Sequence, residues 1–174
     1  MDATNKPWSK HFNMYTYVTE ELPRVVEAYF HVDPTRKSIT GHSMGGNGAL
    51  MVAARNPTVY KSLSAFAPIS DPKSGFSDDA YHYYFSDVEE AKPFIAVEVI
   101  NKAGSALTLP PTLVDQGTKD EWTHWLGAEH LRTAFGSNGH KNATFRYQDG
   151  YDHGFNFVST FLPEHIDFHA KHLK

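Results

Sequence analysis

The 174 residues contain no cysteine, which excludes disulfides, thiolate zinc sites and a thiol nucleophile. No run of about 18 apolar residues occurs, so there is no candidate for a membrane-spanning helix. Net charge is slight: 16 basic against 20 acidic side chains give −4 with histidine neutral. The charges are scattered, and no basic stripe offers a footprint to nucleic acid or an anionic membrane. Met1-Asp2-Ala3-Thr4-Asn5 lacks the charged and apolar blocks of a secretory signal, which makes a cytoplasmic setting the expectation. What the chain does have is 40% hydrophobic and 14% aromatic residues, enough for one folded domain with a real core.

Apolar residues recur at helical spacing across 14–30 (Val18, Leu22, Val25, Val26, Tyr29), with Pro23 expected to end or kink one piece. Asp33-Pro34 marks a turn, and Lys37-Ser38-Ile39-Thr40 reads as a short strand running into Gly41. A helix over 44–55 is stopped by Asn56-Pro57, and 62–67 reads as a buried strand closed by Pro68. Residues 71–90 read as a polar and aromatic loop with a short helix, and 89–101 as a helix broken early by Pro93. Pro110-Pro111 introduces a strand over 112–115, followed by a helix over 123–135 and a turn at Ser137-Asn138-Gly139. A strand over 144–147 and a final amphipathic helix over 154–172 complete the chain. This alternation predicts the α/β class, a mostly parallel sheet with helices on both faces. No repeat or linker divides it, so 1–174 is expected to be a single domain.

The informative segment is Gly41-His42-Ser43-Met44-Gly45-Gly46, a G-x-S-x-G pattern placed between a strand and a helix. At about 7% each for Gly and Ser, such a pattern arises by chance in roughly one window per 3,000. The flanking strand and helix make an accidental match rarer still. The chemistry requires a sharp turn that lifts a serine Oγ above the ends of the strands. Gly41 and Gly45 are expected to supply space for it. The helix opening at Met44 would aim its free amides at a developing oxyanion, with the Met44 N–H as the expected donor.

A serine is inert without a base, and the base needs a carboxylate to orient it. The expected chain order is Ser, then Asp or Glu, then His. Of 11 histidines, His153 in Gly150-Tyr151-Asp152-His153-Gly154 stands after the last strand and before the final helix. His130 and His140 read as solvated. The acid is expected after the strand at 112–115, with Asp120 favoured because it lies further out on the loop. Asp115, at the strand end, and Glu121 are the fallbacks. Asp152 adjoins His153 and reads as a turn residue, since sequence neighbours rarely align head-on.

Several segments together carry a resemblance. They are Met14-Tyr15-Thr16-Tyr17-Val18-Thr19-Glu20-Glu21-Leu22-Pro23, the serine segment, Ser64-Ala65-Phe66-Ala67-Pro68-Ile69, Asp115-Gln116-Gly117 and Gly150-Tyr151-Asp152-His153. From about Val18 to the C-terminus the chain resembles the S-formylglutathione hydrolase (esterase D) family. The resemblance implies an α/β-hydrolase fold and hydrolysis of the thioester S-formylglutathione to glutathione and formate in formaldehyde detoxification, with side activity on short acyl esters. It implies Ser43, Asp120 and His153 as the catalytic triad, the acid lying three residues beyond the glycine of Asp115-Gln116-Gly117. It also implies a homodimer, no cofactor and no metal. Members of that family are longer, and this chain matches only their C-terminal three-fifths. The strands before the elbow, and the loop bearing a second oxyanion amide, are expected to be missing, as in an N-terminally truncated chain of poor solubility and low activity. The alternatives are a general carboxylesterase or acyltransferase of the same fold, or an impaired fragment acting as an interaction piece.

Other features have plainer readings. His165, His169 and His172 share a helical spacing that could gather a metal, but a solvated helix surface is expected. Tyr81, His82, Tyr83, Tyr84 and Phe85 could floor a pocket or fill a core. Trp122 and Trp125 adjoin the acid loop as pocket wall or surface packing. His42 is expected to be buried support beside the serine.

Overall fold

The structure is a computed structural model and describes residues 1–71 and 78–174. A 3-10 turn at Trp8–Lys10 precedes α1 (Met14–Thr16), a π turn at Tyr17–Glu21 and α2 (Leu22–Tyr29). The chain is therefore helical through Pro23, which sits in the first turn of α2. The wider turn ahead of it, with Leu22 N–H donating to Tyr17 O, accommodates the proline without a break.

The rest alternates as expected. β1 (Lys37–His42), α3 (Met44–Arg55) and β2 (Tyr60–Phe66) lead to α4 (Asp78–Tyr84), α5 (Val88–Ala91) and α6 (Ala96–Ala103). Then come β3 (Thr112–Gly117), α7 (Thr123–Leu126), α8 (Ala128–Ser137), β4 (Ala143–Gln148) and α9 (Phe155–His172). The loop expected across 71–90 falls partly outside the described residues. The single helix expected over 123–135 is two, because Gly127 breaks it at φ +70°. A Cβ there would also stand 2.8 Å from Asp71 Cβ, so glycine is required on both counts.

The four strands are parallel and lie in chain order, β1-β2-β3-β4. The register aligns Gly41 with Ala65, Ala65 with Val114 and Val114 with Phe145. Side-chain alternation on β2 divides the interior. Leu63 and Ala65 join Leu50, Ala53, Ile100, Leu131 and Phe135 in the larger core, under α3, α6 and α8. Ser62, Ser64 and Phe66 turn the other way, towards α9. Burial on both faces explains why Ser-Leu-Ser-Ala-Phe-Ala carries no exposed polar alternation.

That second face corrects a reading of α9. His165 and His169 are 0% and 7% exposed, not solvated. His169 Nδ1 and Nε2 each lie 2.8 Å from a serine hydroxyl, Ser62 and Ser64. These hydroxyls in turn reach Ser38 Oγ (2.6 Å) and Thr40 Oγ1 (2.8 Å) on β1. His165 stacks on Phe66 with ring centroids 3.7 Å apart. Among the described residues no group of three His, Asp or Glu side chains is placed to hold a metal.

Candidate active site

β1 ends at His42, and the chain turns at Ser43 directly into α3. Ser43 has φ 57° and ψ −115°, a conformation that costs a residue with a Cβ about 1–3 kcal/mol. β2 and the segment after it hold the turn in place. Ser43 N–H donates to Phe66 O at 2.9 Å, and Ile69 N–H donates to Ser43 O at 3.1 Å. The turn closes because Gly41 has no side chain: a Cβ there would stand 2.1 Å from Gly45 O. The expected parallel role of Gly45 is corrected, since a Cβ at Gly45 meets nothing within 4 Å. The second tight position is Gly46, where a Cβ would lie 2.9 Å from Pro68. Motif spacing is counted from the serine, but crowding depends on which backbone crosses which.

Two loops bring the other groups. Asp120 follows β3 and His153 follows β4, and the loops are joined backbone to backbone. Thr118 N–H donates to Gln148 O (3.0 Å), and Lys119 N–H to Tyr151 O (2.9 Å). The Thr118 hydroxyl accepts from Gly150 N–H at 2.9 Å. The close crossing again demands glycine, because a Cβ on Gly117 would meet Tyr151 O at 2.3 Å.

The result is a line of three side chains. His153 Nε2 lies 2.9 Å from Ser43 Oγ, and His153 Nδ1 lies 2.8 Å from Asp120 Oδ2. A carboxylate only accepts, so Nδ1 carries the hydrogen and Nε2 is free to take one from the serine. Asp120 is 6% exposed, and burial alone would raise its pKa. Bonds from His153, from Trp122 N–H (2.9 Å, to Oδ1) and from Gln116 Nε2 (2.8 Å, to Oδ2) outweigh burial. They hold the carboxyl below the usual carboxylate range.

His42 is half-buried with its ring 4.6 Å from that of His153. Burial, reinforced by His153, lowers its pKa, so it favours the neutral form and places no full charge against its neighbour. Met44 opens α3, where the first amides have no acceptor within the helix.

The fallback acids are engaged elsewhere. Asp115 is fully buried, gripped by Arg146 Nε and Nη2 at 2.6 Å each, its aligned neighbour on β4. Glu121 accepts from Trp122 Nε1 at 3.1 Å. Asp152 accepts from Gly154 N–H at 2.8 Å, a bond within its own turn. His130 is exposed and meets Asp71 at 2.8 Å, whereas His140 is half-buried against Phe135, not solvated, its Nε2 without a partner among the described residues. Phe85 is buried and stacks on Phe94, which is core packing, whereas Tyr84 and the exposed Tyr83 pack on Trp8 nearer the surface. Trp122 and Trp125 pack on each other, ring centroids 4.8 Å apart. A cavity of about 290 Å³ lies at the other end of the sheet, lined by Leu107, Pro110, Thr112 and His140, and holds none of the three aligned side chains.

Two residues at the site carried little or no expectation in the sequence. Gln116 figured only within Asp115-Gln116-Gly117, with no role of its own, because its partner Asp120 comes into reach only through the loop after β3. Trp122 contributes through its backbone, which no side-chain pattern reveals.

A parallel sheet with a strained serine between strand and helix, and an acid and a histidine on loops after later strands, defines an α/β-hydrolase fold with Ser43, His153 and Asp120 in line at a candidate site. The chain belongs to the esterase family: residues 1–168 match the family model described as "Putative esterase". It is 41% identical over 182 residues to the S-formylglutathione hydrolase of Mus musculus and 40% identical over 175 residues to that of Paracoccus denitrificans. Each alignment takes in 99% of this chain, so the resemblance extends further towards the N-terminus than Val18. A solved S-formylglutathione hydrolase from Agrobacterium tumefaciens superposes on the whole chain with TM-score 0.92 at 38% identity. The chain spans about 62% of the length of these relatives.

Proposed function

We propose that Ser43, His153 and Asp120 form a catalytic triad and that the chain's activity is hydrolysis of S-formylglutathione, with slower hydrolysis of short acyl esters. The observation that carries the chemistry is the unbroken line from Ser43 Oγ through both nitrogens of His153 to Asp120 Oδ2. The substrate rests on the names of relatives at about 40% identity.

In this reading the Ser43 hydroxyl attacks the formyl carbon as His153 Nε2 takes its proton. Asp120 stabilises the imidazolium and keeps the ring in register. The tetrahedral oxyanion takes a bond from the Met44 amide at the positive end of α3. Collapse breaks the C–S bond, and His153 returns the proton to the departing glutathione sulfur. Water, deprotonated by the same nitrogen, then attacks the formyl-serine, releasing formate and restoring Ser43. No step calls on a cofactor. The same proposal keeps the expected cytoplasmic location and one domain across 1–174, which no repeat or linker divides, and adds a homodimer, which rests on the family resemblance.

Loss of the thioester absorbance of S-formylglutathione, in chain and Ser43→Ala variant side by side, tests the reading. Turnover of the thioester that disappears in the variant supports it. Serine-dependent turnover of short nitrophenyl esters alone would replace it with a general carboxylesterase.

A further inference from the structure

We propose that Gln116 is a positioning residue: its side-chain amide locks the carboxylate plane of Asp120 and so holds His153 in line with Ser43. The inference rests on the triad reading above and adds a residue to it.

Gln116 is the penultimate residue of β3 and only 3% exposed. Its Nε2 donates to Asp120 Oδ2 at 2.8 Å, the same oxygen that receives His153 Nδ1–H at 2.8 Å. The reversed amide would set oxygen against carboxylate, so this orientation is the one that makes a bond. The other half of the amide gains nothing: Oε1 is buried without a partner among the described residues. A buried, unpaired carbonyl ordinarily costs stability. A residue serving packing alone at this position would be better apolar, and the retained amide therefore points to its one strong bond.

The geometry shows what that bond does. An Asp χ2 torsion is broad and nearly two-fold, and a single hydrogen bond restrains it only softly, over a range of angles. Trp122 N–H fixes Oδ1 from the loop, at 2.9 Å. Gln116 fixes Oδ2 from the strand, and the two anchors come from different elements. With both in place the lone pair offered to His153 has one direction. Without Gln116, His153 is the one side chain among the described residues left bonded to Oδ2, and it moves with the group it is meant to orient.

The test uses the full chain and the rate of Ser43 labelling by a fluorophosphonate, which needs neither natural substrate nor deacylation. Gln116→Met keeps the length and removes the donor. Its labelling is expected to slow about tenfold near neutral pH. The midpoint of its pH–rate profile should move as well, a readout that lost packing alone would leave in place. Gln116→Glu replaces the donor by an acceptor and is expected to lose more than Gln116→Met at pH 8, the difference closing towards pH 6. Thermal midpoints measured in parallel separate positioning from collapse. In the unsubstituted chain the Gln116 side-chain amide resonance should follow the same pH transition as the labelling rate, a readout that survives misfolded variants. Wild-type labelling and an unmoved midpoint in Gln116→Met, or an amide resonance indifferent to that transition, overturns the proposal and leaves the triad intact. Absence of Ser43 labelling in the unsubstituted chain overturns both.

Discussion

Ser43 reaches its strained conformation because Gly41 lets two stretches of backbone touch, and that dependence is sharply local. Gly41→Ala would drive a Cβ to 2.1 Å from Gly45 O. Overpacking of that kind costs about 1–3 kcal/mol or more, so a lowered thermal midpoint and lost fluorophosphonate labelling are expected together. Gly45→Ala meets open space in a helix, where alanine is favoured over glycine by roughly 1 kcal/mol, and its thermal midpoint should hold or rise. At the acid, Asp120→Asn keeps the shape but lets the imidazole adopt the wrong tautomer. Labelling should fall about 10³–10⁴-fold, whereas Asp152→Asn should change it little. Equal losses in the two variants would argue against Asp120 as the orienting acid.

At the scale of elements, α9 is the instructive case. Phe157, Phe161, His165 and His169 follow one another at intervals of four, a single stripe facing β2 and β3. Counting histidine as polar splits that stripe, so its lower half reads as surface. The cost of burying imidazole shows in His169, whose pKa burial pushes down to about 4, aided by His165 and His172. The Ser62 and Ser64 hydroxyls meet its two nitrogens from the strand side. Above pH 6.5 it is neutral folded or unfolded and carries no pH penalty. As pH falls from 6.5 towards 4 the unfolded chain takes up a proton that the fold refuses, and stability is lost across that window. The full loss is about 3 kcal/mol. Thermal midpoints against pH should show this fall in the native chain and a shallower one in His169→Gln. Asp115 adds a second acid limit. Burial opposes its charge, but His165, 3.4 Å away, and Arg146 outweigh burial and hold it below the usual range. Its contribution is therefore present above ordinary carboxylate pKa values and lost below them. Arg146→Met would leave that buried carboxylate without its main partner and should destabilise by about 3–5 kcal/mol.

Across the whole molecule, covered and uncovered surfaces divide unevenly. β2 and β3 are paired on both sides, but among the described residues β1 pairs only with β2, leaving a row of backbone donors and acceptors open. Beside it in sequence, α2 keeps Leu22, Val25 and Tyr29 at least 39% exposed, with no buried residue in the helix. An open edge and a bare apolar helix face predict association of the chain with itself as concentration rises. Sedimentation velocity should show this, and Val25→Lys with Tyr29→Glu should reduce it; a monomer at all concentrations would contradict the expectation.

Much of this molecule was legible in sequence because it depends on local backbone chemistry. The α3 boundaries at Met44 and Arg55 and the strand cores follow from periodicity, glycine and proline, which act over a few residues. The residues alone favour Asp120 for its place on the loop but leave Asp115 and Glu121 open as fallbacks. All three lie within seven positions, and only the crossing of the β3 and β4 loops determines which carboxylate faces His153. The same holds for Gly46 over Gly45, for buried His169, and for the amide of Gln116 on Asp120. Each depends on a contact between segments distant in the chain, and such contacts exist only once the strands have paired. The sequence by itself determined where a nucleophile could stand; tertiary packing decided which side chains meet it.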